Sequence, residues 1–120
     1  MNTKSQSQTI RVNLVVANIG NLIDGMAKEK DIFNSDFEVR LESILLLSSL
    51  MLNEQQREDN ENYVEELEGI HADIAYISDF YADTVDANDK ADNHLNTAKV
   101  QTELALIKQK CENLEKATNC

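Results

Sequence analysis

The sequence predicts an all-α protein, an antiparallel helical bundle or coiled-coil hairpin of three to four helices. Two observations carry that prediction. Proline is absent from the 120 residues and glycine occurs only at Gly20, Gly25 and Gly69, so the chain nearly lacks the punctuation that sheets and sharp turns require. Apolar residues also recur at alternating three- and four-residue intervals through most of the chain, the period of a helix seam. The hydrophobic content of 42% lies well away from the regime in which chains stay disordered. The length suits one domain.

Residues 1–9, MNTKSQSQT, are polar throughout and are expected to form a disordered leader ahead of a single helical domain at 10–118. They hold no apolar h-region of a secretory signal. The alternative is a polar export signal read by a specialised bacterial secretion apparatus. Helix one is expected over about 10–31, with Val12, Val15, Ile19, Leu22 and Met26 as its seam. Alternation of Ile10, Val12, Leu14 and Val16 competes as a β-strand, which would need a partner strand from another molecule. Gly20 and Gly25 fall outside the seam and mark a kink or a close helix contact.

The stretch SDFE at 35–38 reads as a capping box, the Ser35 hydroxyl accepting from the Glu38 amide. Helix two follows over about 36–57. Its apolar residues Phe37, Leu41, Ile44, Leu45, Leu47, Leu50, Met51 and Leu52 cover more than one stripe, which predicts the most buried element. Residues 53–62 hold no apolar side chain and read as a turn or a solvent-bridging helical stretch. Helix three, over about 60–87, has the cleanest heptad: Tyr63, Leu67, Ile70, Ile74, Ile77 and Tyr81. Helix four, over about 94–117, repeats Val100, Leu104, Ile107, Cys111 and Leu114. The two registers disagree across ANDKADN at 87–93, which predicts a hairpin turn or a stutter.

Function begins from charge. Of the net −11, residues 54–92 contribute all: 13 acidic residues stand against Arg57 and Lys90, while the rest of the chain holds nine of each sign. A localised field is therefore expected rather than a uniformly acidic surface. Glu54, Glu58, Glu61, Glu65 and Glu68 advance by four and three, and Asp79, Asp83 and Asp86 resume near the same face after three turns. Carboxylates one helical turn apart lie about 5–6 Å from each other, comparable with phosphates along a nucleic-acid strand. Tyr76 and Phe80 supply aromatic anchors within this zone.

Competing chemistries fit poorly. A calcium loop starting at Asp86 places Lys90, Ala91 and Thr97 where an oxygen ligand, a glycine and a glutamate are required. Glu68 and His71 form one Glu-x-x-His step, but Ala91 precedes His94 by three, so the second step of a di-iron bundle is missing. His71 is then expected on the surface. No phosphate loop, zinc-spaced Cys/His set or nucleophile elbow stands out, so no enzyme, metal or cofactor is expected. Cys111 sits in an apolar register and Cys120 ends the chain, about 13 Å away along a helix, beyond disulfide reach. The longest apolar run, at 44–52, is about half a membrane span.

The leading expectation is a cytoplasmic, non-enzymatic protein-binding module. Its acidic helical face engages a basic surface, as a small inhibitor or nucleic-acid mimic of phage or mobile-element type that blocks a DNA- or RNA-binding protein. Direct nucleic-acid binding is disfavoured because the field repels phosphates. A homodimer fits the seam-like helices. The alternative is a coiled-coil assembly protein, such as a secretion-system chaperone or filament subunit.

Overall fold

A computed structural model describes residues 3–57, 63–87 and 93–118. They form four helices: α1 (Thr3–Met26), α2 (Ser35–Arg57), α3 (Val64–Ala87) and α4 (Asn93–Thr118). No strand occurs among the described residues, and 10–17 are helical. Neighbours in the chain pack as neighbours in space, and α4 closes the ring against α1. Cross-links show that each neighbour runs antiparallel. Arg11 with Glu54 joins α1 to α2, while Arg40 meets Glu29 just past the end of α1. Gln56 with Glu68 and Ser48 with His71 join α2 to α3, Lys110 with Asp73 and Lys99 with Phe80 join α4 to α3, and Asn13 with Thr118 and Asp24 with Lys108 join α1 to α4. The chain thus reverses between α3 and α4, while 88–92, where a turn or stutter is expected, lie outside the described residues.

Helix α1 starts at Thr3, within the stretch expected as leader. Its glutamines and serines contain no helix breaker, and buried Gln8 accepts a hydrogen bond from Gln55 Nε2 at 2.9 Å. It also ends earlier than expected, at Met26. The buried seam of α1 is Val12, Val16, Ile19, Ile23 and Met26, not Val12, Val15, Ile19, Leu22 and Met26. Val15 and Leu22 are half-buried beside it. The stripe is rotated toward α4, and Gly20 marks the approach: a Cβ there would stand 3.8 Å from the Cys111 Cβ.

Helix α2 departs most from expectation. Its seam is Phe37, Leu41, Ile44, Ser48, Met51 and Gln55, so two polar residues occupy heptad positions while Leu46 and Leu50 are exposed. It is therefore not the most buried element. Burying Ser48 and Gln55 is tolerable because both are hydrogen-bonded. Its cap also sits one residue earlier than the capping box proposes. Asn34 Oδ1 accepts from the Phe37 amide at 2.8 Å and the Glu38 amide donates to the Asn34 carbonyl at 3.1 Å. Asparagine is an equally good cap and holds the first turn without Ser35.

The seams of α3 and α4 fall where the sequence places them, with Leu67, Ile70, Ile74, Ile77 and Tyr81 facing Val100, Leu104, Ile107, Cys111 and Leu114 in one continuous core. Burial pushes the Cys111 thiol up to about 12, with Glu115 and Glu112 adding to the effect. Because thiolate is the reactive form, Cys111 in a Cys120→Ser chain is expected to react with a maleimide at pH 8 only as fast as the bundle opens. Rapid labelling of folded protein would contradict this burial. Gly69 lies within α3, and a Cβ there meets nothing within 4 Å. Gly69→Ala should therefore stabilise the protein by about 0.5–1 kcal/mol, read as a raised melting temperature.

Candidate functional site

Helix α3 carries Glu65, Glu66, Glu68, Asp73, Asp79, Asp83 and Asp86 and no lysine or arginine. With its apolar seam turned inward, Glu65, Glu68, Asp79 and Asp83 come to the exposed side. They form two clusters rather than an even row. Glu65, Glu66 and Glu68 occupy the first turn and a half, Asp79 and Asp83 the later turns, and Tyr76 stands between them at 51% exposure. From Glu65 to Asp83 the face runs about 27 Å. Among the described residues no cation pairs with Glu65, Glu66, Asp79 or Asp83, and repulsion between carboxylates one turn apart costs a few tenths of a kcal/mol per pair.

The longer stripe is interrupted at its start. Glu54 lies on α2, not on the α3 face, where it bonds Arg11 of α1 at 2.5 Å and is only 13% exposed. The four-three spacing that joined it to Glu65 holds only while the helix continues, and the two residues belong to antiparallel helices. Glu58 and Glu61 lie outside the described residues. Asp86 belongs to the last turn of α3.

The two aromatics part company. Phe80 is half-buried against the core, and Lys99 of α4 places its ammonium 4.4 Å from the Phe80 ring centre and 5.5 Å from that of Tyr76. Lys99 therefore caps Phe80 and borders Tyr76, which leaves Tyr76 as the accessible anchor. That contact depends on how α4 packs on α3 and has no signal in local spacing. Asp73 faces Lys110 on the same α3–α4 boundary. Nearby, Gly69 opens a groove of about 440 Å³ between the helices, walled by Tyr63, Ile70 and Leu114 with Glu66 and Lys110 at its edge.

His71 is not the surface residue expected. It is half-buried, with Nδ1 2.8 Å from Ser48 Oγ. The Ser48 hydroxyl also lies 2.9 Å from the Leu45 carbonyl, and its hydrogen bond with His71 ties α3 to α2. Glu68 turns instead to Gln56, and the Glu-x-x-His pair does not converge. No group of three or more His, Cys, Asp or Glu side chains among the described residues could hold a metal ion. On the opposite side, Lys108 and Lys28 hold the Asp24 carboxyl below its ordinary range. That carboxylate is therefore engaged within the bundle, as Asp73 is, unlike Glu65, Glu66, Asp79 and Asp83 of α3.

No described helix is long and apolar enough to cross a membrane. Comparison of the chain with family models, curated proteins and solved structures finds no match.

Proposed function

We propose that this protein is a non-enzymatic binding module whose α3 face engages a basic macromolecular surface, acting as a small inhibitor or nucleic-acid mimic that occupies the binding site of a DNA- or RNA-binding protein. One observation carries the reading: helix α3 holds seven carboxylates and no lysine or arginine. Although Lys110 of α4 pairs with Asp73 at its edge, Lys108, Arg40 and Arg11 meet Asp24, Glu29 and Glu54 away from α3. A surface selected only for solubility would intersperse the two signs. Two carboxylate clusters flanking one exposed aromatic match the general form of an interface with a central anchor and a charged surround. The cytoplasm is the proposed compartment, and phage or mobile-element inhibitors are the proposed type.

The test is capture on immobilised protein from an extract of the native host, eluted with rising salt. The reading expects basic nucleic-acid-binding proteins that release as charges are screened, and that are missing from a column bearing Glu65→Lys, Asp79→Lys and Asp83→Lys together. An identical captured set on both columns would sink it.

A further inference from the structure

We infer that the α1–α2 side of the bundle is a self-association surface on which a second copy of this chain docks about a twofold axis. Residues 12–23 of α1 and 43–53 of α2 contain no charged side chain, although 28% of the chain is charged. The two windows lie side by side. The Arg11–Glu54 ion pair joins the residues bounding them at one end; at the other, past the bounding Asp24 and Glu42, Arg40 of α2 pairs with Glu29 of the loop that follows α1. The antiparallel packing has thus assembled two separate uncharged stretches into one uncharged side, closed at both ends by a neutral pair.

That side also leaves apolar surface open, and unlike the exposed Leu95 and Leu106 of α4, which stand among Lys99, Glu103 and Lys110, its leucines sit in charge-free windows. Leu14 is 58% exposed, Leu46 61% and Leu50 65%. Leu14 lies one turn inward from Arg11, Leu50 one turn inward from Glu54, and Leu46 one turn further. Val15, Leu22 and Leu47, half-buried against the core, continue the surface between the two helices. Contiguous exposed apolar surface of this kind marks an interface rather than scattered surface leucines.

Charge selects the occupant. Two chains of −11 repel across most approaches, and this side is the one whose uncharged centre and neutral end pairs remove that repulsion. A basic partner gains nothing from it. A membrane-lying helix would need a lysine- and arginine-rich polar face, which the charge-free windows do not supply. A twofold interface must be self-complementary. An apolar centre with one cation and one anion at each end satisfies that requirement. The bundle measures 57 × 23 × 20 Å, so a long side accommodates the about 800 Å² per partner of a stable complex. In the ring order α1–α2–α3–α4 the opposite side is α3–α4. Back-to-back docking would therefore turn both α3 faces outward and make the assembly bivalent for its partner.

Sedimentation equilibrium of the purified chain, with no partner present, tests the dimer separately from the binding role of α3. The expected species has twice the 13.6 kDa mass at micromolar concentration, and added salt should tighten it by screening the net charge. Leu46→Glu with Leu50→Glu should give a monomer of unchanged helical circular dichroism. Should that pair lose helix, Leu14→Lys on the other helix gives the deciding monomer. A wild type that stays monomeric at all concentrations, a dimer that survives every folded variant, or assembly growing without limit would each overturn the inference, the last in favour of a filament subunit.

Discussion

Replacing Tyr81 with alanine should cost about 3–5 kcal/mol, the range for removing a buried aromatic side chain. Tyr81 is 5% exposed and does two jobs at once. Its hydroxyl donates to the Ile32 carbonyl at 3.0 Å, and its ring stacks on Phe33 at 5.7 Å and tilts against Phe37 at 5.4 Å. Ile32 and Phe33 belong to the loop between α1 and α2, so one α3 side chain fixes the turn that sets the packing of the first two helices. Burial raises the phenol pKa above its ordinary value, with Glu38 and Asp31 adding to the effect, so the hydroxyl remains a donor at neutral pH. Tyr81→Phe keeps the ring and loses only the hydrogen bond, which should cost about 1 kcal/mol. Since a domain of this size is stable by only about 5–15 kcal/mol, urea titration will separate the two variants. An alanine variant within 1 kcal/mol of the wild type would mean that the turn is held by something other than Tyr81.

Reversing Glu65, Asp79 and Asp83 to lysine is expected to weaken binding of a basic partner on the order of a thousandfold, about 4 kcal/mol. Each reversal removes an attraction and installs a repulsion against a partner cation. Close interfacial charge pairs are worth about 1.5 kcal/mol or more. The three residues are exposed and none is in a helix–helix hydrogen bond or ion pair among the described residues, so the fold should survive with its helical signal intact. Tyr76→Ala should add a smaller loss, confined to dissociation, since an aromatic anchor slows escape while charge governs encounter.

Where the apolar pattern offered a single choice, the fold was legible. Isoleucines and leucines at four-three spacing from Leu67 to Tyr81, and again from Val100 to Leu114, left no rival stripe. In α1 the doublets Val15–Val16 and Leu22–Ile23 supply two seams of equal quality. The choice between them was made by α4 pressing on Gly20, a contact that local spacing does not encode. In α2 the seam passes through Ser48 and Gln55, residues that look like solvent positions until His71 and Gln8 meet them. Leu50 was correspondingly over-assigned to the core, and its exposure became visible only in three dimensions. The acidic stripe shows the same limit. Its α3 portion follows from helical arithmetic, but that arithmetic could not see Glu54 carried away on the preceding helix and bound to Arg11.

The central claim is that location on α3, and not net charge, makes the acidity functional. Competition for a fluorescent DNA duplex bound to the captured basic protein tests it, using two variants of equal charge. One carries Glu65→Lys, Asp79→Lys and Asp83→Lys. The other carries Asp36→Lys, Glu42→Lys and Glu115→Lys, none of them on α3 and none in an ion pair among the described residues. Each substitution adds two charges, so three of them take both chains from −11 to −5. Displacement of DNA should be lost in the first and retained in the second; equal loss in both would contradict a binding face on α3.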